Sequence, residues 1–403
     1  MTKCDRYLRR ATRPLGCLGA AAALSLVTLS ASAQQSQVDH SLPLMAADPA
    51  EKGDGTLSAA AAAALTSGPL PFSQGDVAAK AAANLARDEA AKSAQPPSAR
   101  DARAPRGQTA PLVASDFNQP GLSAVPGGPS PPDPSGAIGP TRYVQLVNLA
   151  AGIFNRTTGA LIGSGTLDQL AGVAASVQAS DPQIIWDATT NRFYYTMISI
   201  FLAADNRLSF GFSKTASPHN VTTGWCHYTL RLGTRFPDYP RLGDSQFFVI
   251  IGVNSFTEPS TLLGSDLIAI NKPAAGTTCP PNTAFTAGRK LNLLDANGQK
   301  VFTPVPANEI DAFATGFVVA RNGTLPSSKL WLFRVIRDAA TGLPIFGSAT
   351  ESDVASYDEP ADAPQPMFSQ TLDTSDARMS QAVGAARSRR SRRCVSTTVW
   401  AGA

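Results

Sequence analysis

The stretch DPQIIWDATTNRFYYTMIS, residues 181–199, decides the fold of this chain. An Asp-Pro step that favours a turn precedes an apolar segment, and the polar hairpin at 188–192 leads into a second segment rich in aromatic and β-branched residues. LSFGFS, residues 208–213, adds a third apolar segment. The order predicts an antiparallel sheet whose strands follow one another along the chain.

The same order of turn, strand and hairpin recurs on both sides of this stretch. Other strong copies are DPSGAIGPTRYVQLVN (133–148), DYPRLGDSQFFVIIGVN (238–254) and IDAFATGFVVARN (310–322), and a fifth begins at LDTSDARMSQAVGAA (372–386). We number these units one to five along the chain. Their leading acids, spaced 48, 57, 73 and 65 residues apart, are Asp133, Asp181, Asp238, Asp311 and Asp376.

This spacing favours a β-propeller-like array of about five four-stranded units, within an all-β fold. A repeat of this length that contains several strands is typical of a propeller blade, which buries its faces only against its neighbours. A β-sandwich with hairpins of similar size is the alternative, although sandwiches usually space their turns more closely. Seven apolar segments are the predicted strands, at 143–148, 193–201, 208–213, 247–253, 266–270, 316–320 and 329–336.

Composition divides the rest of the chain into segments of different character. Residues 34–110 are rich in alanine and of low complexity, which predicts a partly helical pro-segment or spacer. Residues 111–132 are a Pro/Gly-rich linker, and residues 133–386 hold the repeats. Residues 387–403 form an atypical Arg/Ser-rich tail, which predicts a shifted reading frame and an incomplete last unit, a genuine basic tail being the alternative.

Residues 1–33 have the order of a secretory signal peptide: a basic start, a short apolar run at 15–29 and small residues before Gln34. We therefore expect an exported protein, secreted or held in the periplasm or cell envelope. The apolar run is too short to span a bilayer, and no later segment approaches that length, so no transmembrane segment is expected in the mature chain.

Charge and cysteine content narrow the function classes. The net charge is +4, but without the basic ends residues 34–386 carry 24 basic and 29 acidic residues, a net charge near −5. A mildly acidic body argues against nucleic acid as a partner. In an oxidising compartment, Cys226 and Cys279 are the natural disulfide, with two buried free thiols as the alternative.

The repeats resemble a family of uncharacterised bacterial exported proteins that are predicted to be β-propellers. The residues that carry the resemblance are PPDPSGAIGPTRYVQLVN (131–148), DPQIIWDATTNRFYY (181–195), FPDYPRLG (236–243) and SQTLDTSDARMSQAV (369–383). The resemblance covers roughly residues 130–386 and implies fold and export. It implies no activity.

Acids and one arginine near the repeat starts are the candidate site residues, and no established catalytic motif is found in the sequence. Asp181, Asp187, Asp238, Arg241 and Asp244 could form an acid–base cluster at the propeller mouth that acts on a glycosidic bond. They could also be turn-capping residues that repeat for structural reasons. No cofactor is expected, although carboxylates of this kind could bind Ca²⁺ through their oxygen atoms.

The sequence accordingly favours a binding protein without catalysis of its own, because binding residues collect on loops of a rigid scaffold. The expected ligand is a polysaccharide or a protein surface. A secreted, glycosidase-like hydrolase that uses the acids above is the second hypothesis. A non-functional truncated fragment is the third.

Overall fold

The computed structural model describes most of the repeat region and a short N-terminal segment. The described residues are 37–42, 44–53, 121–122, 133–202, 205–257, 261–359, 363–364, 371–372 and 381–385. The predicted signal peptide, the predicted helices of the spacer and the Arg/Ser-rich tail lie outside these residues.

Four antiparallel sheets follow one another along the chain, one for each of units one to four. Unit one contains β3 (Ser135–Ile138), β4 (Arg142–Val147), β5 (Ala150–Asn155) and β6 (Leu161–Thr166), and the short helix α1 (Leu167–Ala171) follows it. Unit two contains β7 (Gln178–Asp187), β8 (Arg192–Leu202), β9 (Asp205–Ser213) and β10 (Trp225–Gly233).

Units three and four repeat this plan. Unit three contains β11 (Phe236–Asp244), β12 (Phe248–Thr257), β13 (Thr261–Asn271) and, after a one-turn 3₁₀ helix (Asn282–Ala284), β14 (Ala287–Lys290). Unit four contains β15 (Val301–Glu309), β16 (Gly316–Asn322) and β17 (Ser327–Arg337), and β17 pairs with both β18 (Pro344–Phe346) and β19 (Thr350–Tyr357). All seven predicted strand segments lie in these sheets.

The first strand of each sheet lies beside the first strand of the next, so that β3, β7, β11 and β15 contact one another in order. We call these four the inner strands. Three large apolar clusters fill the spaces between successive sheets, with Tyr195 and Trp225 in the first, Phe210 and Ile251 in the second, and Trp331 in the third. Consecutive four-stranded sheets that pack face to face around adjacent inner strands form a β-propeller array, and the predicted all-β fold is confirmed.

Every inner strand is entered through the same backbone step. Asp133, Asp181, Tyr239 and Thr303 have positive φ angles of 40°, 52°, 54° and 50°, and each precedes a proline. In β7, β11 and β15 a register shift, a β-bulge, spans this step. Positive φ is costly for residues other than glycine, so the surrounding sheet must hold the step in place.

The structure corrects the start of unit four. We expected it at Ile310, with Asp311 as its leading acid, but the inner strand is β15, whose positive-φ residue is Thr303. Asp311 lies in the connection after β15. The matching position in unit three is likewise Tyr239 and not Asp238. The acid at this step is therefore replaceable, whereas the X-Pro step itself recurs.

Unit five is represented by β22 (Ala382–Gly384), which lies in the predicted fifth copy. It pairs in parallel with β15, through Ala307 and Ala382 at one end and Glu309 and Gly384 at the other. Two strands of two residues each, β20 (Ala363–Pro364) and β21 (Thr371–Leu372), precede it and pair with each other.

The N-terminal segment, residues 37–53, extends two of the sheets, and we call it the strap. Its strands β1 (Val38–Asp39) and β2 (Leu44–Ala46) add a fifth strand to units three and two, beside β14 and β10 respectively. The interval 34–110, expected to be a partly helical spacer, thus begins with two short strands. The reason is that Leu42 and Leu44 join the apolar cluster between these units.

The connection between β13 and β14, residues 272–286, crosses from unit three to unit two. Cys279 in this connection is disulfide-bonded to Cys226 of β10, with an S–S distance of 2.01 Å. Tyr228 of β10 donates a hydrogen bond to the carbonyl oxygen of Pro280 at 2.7 Å, and Arg192 donates to the carbonyl oxygen of Thr277. The disulfide therefore cross-links units two and three, which also pack against each other.

Candidate functional site

The inner strands of units two and three each end in an aspartate, and the two carboxylates meet at one lysine. Asp187 ends β7 and Asp244 ends β11. Lys272 Nζ lies 3.0 Å from Asp187 Oδ2 and 2.8 Å from Asp244 Oδ2, and all three side chains are buried. Of the five predicted site residues, these two aspartates are brought to a common partner.

Hydrogen bonds to main-chain amides fix both aspartates. Thr190 donates its hydroxyl to Asp187 Oδ2 at 2.6 Å, and the Thr189 amide donates to Oδ1 at 3.0 Å. Asp244 Oδ1 accepts the amide of Glu309 at 2.9 Å, which links unit three to unit four. Asp187 thus caps its own turn, Asp244 links two units, and both carboxylates share a buried cation.

Glu309 completes the site, and sequence reasoning missed it. It ends β15, as Asp187 and Asp244 end their inner strands. A small cavity of about 20 Å³ that opens to solvent is lined by these three acids, by Lys272 and by Asp311 in the next connection. The available signal was the distance from the X-Pro step, because each acid follows its proline by four or five residues.

Burial shifts the pKa values of two acids of this site, Glu309 and Asp244. Burial raises the pKa of Glu309 to about 8, and the nearby Asp244 adds to this effect as a like charge. Its Oε2 accepts the Phe313 amide at 2.9 Å, but its Oε1 is buried with no hydrogen-bond partner among the described residues. Burial also raises the pKa of Asp244, while the Lys272 ammonium opposes the shift. Near neutral pH, Glu309 is therefore protonated.

The other predicted site residues lie at the bulges and not at this cavity. Asp181 is the positive-φ residue of unit two, and its amide donates to Asn148 Oδ1 at 2.9 Å. Asp238 is buried in β11, and the Arg241 guanidinium stacks over the Tyr239 ring at 3.5 Å. From Asp181 to Asp187 the strand advances by six residues, which at about 3.3 Å per residue is roughly 20 Å. The proposed cluster of five residues is thus divided between two ends of the inner strands.

An asparagine from the preceding unit holds two of the bulges. Asn148 follows β4 and accepts the Asp181 amide, and its Nδ2 donates to Asp133 Oδ2 at 2.8 Å. Asn254 in β12 likewise accepts the Thr303 amide at 2.8 Å and donates to the Thr303 hydroxyl at 3.1 Å. The asparagines of YVQLVN and FFVIIGVN therefore connect unit one to unit two and unit three to unit four.

Metal binding was the open alternative for these acids. In the part of the chain that the structure describes, no group of three or more His, Cys, Asp or Glu side chains is arranged to hold a metal ion. At the cavity, Lys272 supplies the positive charge between Asp187 and Asp244. The same described residues contain no helix long and apolar enough to cross a membrane.

Comparisons with known proteins give fold neighbours of low similarity. No family model matches the chain, and no curated protein matches it. A solved GH43_1 enzyme from Xanthomonas citri complexed with xylose is 9% identical, with a TM-score of 0.29, and the match covers 54% of this chain and 72% of that one. An exo-β-1,3-galactanase from Clostridium thermocellum is 10% identical, with a TM-score of 0.30 over 54% of this chain and 48% of its own.

A third neighbour, an exo-β-1,3-galactanase from Phanerochaete chrysosporium with β-1,3-galactotriose, is 9% identical, with a TM-score of 0.28 over 54% of this chain and 49% of that one. Similarities at this level place the chain in no family.

Proposed function

We propose that the protein binds a small hydroxylated group, such as the end of a carbohydrate chain, in the cavity between Asp187, Asp244 and Glu309. The observation that carries the proposal is that three successive inner strands each deliver a carboxyl group to one cavity. Repetition of a turn cap does not by itself require that the caps of three units converge.

The chemistry of the cavity supports this class of ligand. A sugar hydroxyl both donates and accepts hydrogen bonds, and the cavity offers carboxylate acceptors beside a protonated carboxyl group. With about 20 Å³ of space, the cavity admits a water-sized group and is far below the roughly 300–1,000 Å³ of sites that enclose drug-sized ligands. A single terminal group of a larger ligand therefore suits it better than a whole oligosaccharide.

Calorimetry with ligands selected on a glycan array tests the proposal. Glu309→Ala, which removes both hydrogen-bonding atoms, should weaken binding by about tenfold, the value of one good hydrogen bond. Glu309→Gln, which resembles the protonated acid, should bind within a few-fold of the original. Asp353→Asn, at an exposed carboxylate of β19, is the control. Two outcomes would contradict the proposal. One is that no glycan binds, as expected if the ligand is a protein. The other is that Glu309→Ala binds the ligand as tightly as the original protein.

One observation favours glycoside hydrolysis as a second candidate function. Glu309 keeps its proton near neutral pH, as a general acid requires, while Asp187 and Asp244 pair with Lys272. Hydrolysis of aryl glycosides should then fall by roughly 10²- to 10⁴-fold in Glu309→Gln, although ligand binding persists. The absence of turnover by the unchanged protein across the panel would eliminate this candidate.

We further propose that the protein acts outside the cytoplasm. The composition of residues 1–33 and the bond between Cys226 and Cys279 support an oxidising compartment. Expression in a bacterial host followed by fractionation should recover the mature chain from the periplasm or medium, beginning at Gln34. A chain that stays in the cytoplasm with its original Met1 would contradict this.

A further inference from the structure

The strap makes main-chain hydrogen bonds to the outer edges of two sheets. Its β2 pairs with β10 in register, Leu44 opposite Leu230 and Ala46 opposite Tyr228, and the Ala47 amide donates to the carbonyl oxygen of His227 at 3.1 Å. On unit three, the Leu291 amide donates to the carbonyl oxygen of Gln37 at 2.8 Å. An extended segment that adds a strand to an exposed sheet edge is a common mode of peptide recognition.

Apolar side chains give the strap its register. Leu42 and Leu44 are both at least nine-tenths buried and join the cluster that contains Tyr228 and Leu230 of β10. Asn282 Nδ2, from the connection between β13 and β14, donates to the carbonyl oxygen of Leu44 at 2.9 Å. A shift of one residue would turn these side chains away from the cluster, because successive side chains of a strand point to opposite faces.

A buried arginine recognises the far end of the strap. Arg207 of β9 is 1% exposed and donates to both carboxylate oxygens of Glu51, at 2.5 and 2.8 Å. Asp205 lies 2.6 Å from the same guanidinium, and the Arg207 hydrogen bonds lower the pKa of Glu51. Bidentate pairs of this kind are among the stronger and more specific polar contacts in proteins.

Along the chain, the strap is separated from the repeats by residues 54–132, an interval of 79 residues. Its contacts with units two and three are therefore made as a segment distant in sequence, like those of a separate peptide. We propose that the edges of β10 and β14 are an acceptor site for an extended peptide, filled here by the chain's own strap. The ligand class has two apolar side chains two residues apart and a carboxylate seven residues after the second.

Peptide exchange on the full chain tests the proposal. A protease site inserted between residues 60 and 61 would separate the strap from the repeats, after which a fluorescent peptide of residues 36–53 is added in excess. We expect the cut strap to co-elute with the repeats and the peptide to replace it in a saturable manner, measured by anisotropy. Failure of the peptide to bind a cut chain that keeps its circular dichroism would overturn the proposal.

Variant peptides test the specificity of the site. Leu44→Asp should abolish binding, and Glu51→Gln should weaken it by about tenfold or more, since one charge-assisted pair is lost. Lys52→Gln, at the exposed neighbour of Glu51, is the matched control and should bind like the original peptide. Equal binding by all four peptides would show non-specific association and would contradict the proposal.

A measurement on the uncut chain covers the case in which cutting unfolds the protein. Leu44→Asp in the intact chain should speed hydrogen exchange at the edge of β10 and at Leu291, while exchange in β16 stays as it is. Unchanged exchange at β10 would overturn the proposal, because the edge would then be protected without the strap.

Discussion

The two ends of the inner strands differ in what the repeats preserve. At the bulge end, the residue before proline is Asp, Asp, Tyr and Thr in units one to four, yet its backbone conformation is the same. At the cavity end, units two to four preserve an acidic group as Asp187, Asp244 and Glu309, whereas β3 of unit one ends at Ile138. The bulge end therefore requires a particular backbone conformation, which several residue types can adopt. The cavity end of units two to four selects a carboxyl group, which we propose serves ligand binding.

The largest effect is expected at the cavity end, from Lys272→Met. The variant leaves the buried carboxylates of Asp187 and Asp244 without a cation, so the free energy of unfolding at pH 7 should fall by about 3–5 kcal/mol. Part of the loss should return at pH 5, because protonation neutralises the unpaired acids. Urea unfolding followed by tryptophan fluorescence at both pH values measures this, and a loss independent of pH would contradict it.

At the bulge end, Asn254→Ala should cost less and should be insensitive to pH. It removes the buried acceptor of the Thr303 amide, at about 1–3 kcal/mol for one unsatisfied group. The same unfolding measurements apply, with ligand binding as a second readout that should stay unchanged. If Asn254→Ala impaired binding as strongly as Glu309→Ala, the separation of the two ends would be wrong.

Glu309→Gln should change the pH dependence of stability. The folded pKa of Glu309 is about 8 and its unfolded pKa is about 4.3, so the folded state retains a proton that the unfolded state loses between these values. Its contribution to stability is present below the unfolded pKa and is lost as pH rises towards 8, with a slope of at most about 1.4 kcal/mol per pH unit. The variant should flatten the stability profile between pH 5 and 8. An identical slope in both proteins would contradict the raised pKa.

The smallest effect is expected from Lys329→Met, the matched control for Lys272→Met. Lys329 also lies between two acids, Glu351 and Asp353, but this group is exposed at the surface of unit four. Solvent screening makes such pairs weak, so the urea midpoint should stay within experimental error. A loss comparable to that of Lys272→Met would mean that burial does not decide the difference.

Much of the fold could be predicted from the sequence because the apolar strands and their turns are local signals. All seven predicted segments are strands, and the repeat was recognised from residues such as those at 181–199. The start of unit four was misplaced because β15 contains Pro304 and Pro306, residues that argue against a central strand. The prolines are tolerated because, among the described residues, the other side of β15 is paired only from Ala307 onward, with β22.

The candidate site could be predicted only in part, for the same reason. Asp187 and Asp244 were predicted, but Glu309 was not, because it ends β15, whose prolines argued against a strand. Lys272 was also missed, because it lies 28 residues beyond Asp244 and only the folding of β13 brings it back. The strap escaped detection because its pairing with β10 joins residues more than 180 positions apart, for example Leu44 and Leu230.

The prolines of the inner strands limit which other strands can pair with them. Positions 182, 240, 304 and 306 lack an amide hydrogen, so none of them can donate to a strand that approaches from across the axis. In β15 the parallel partner β22 begins to pair at Ala307, directly after the last proline. The prolines of β15 thus confine its pairing with the fifth unit to the short stretch from Ala307 to Glu309.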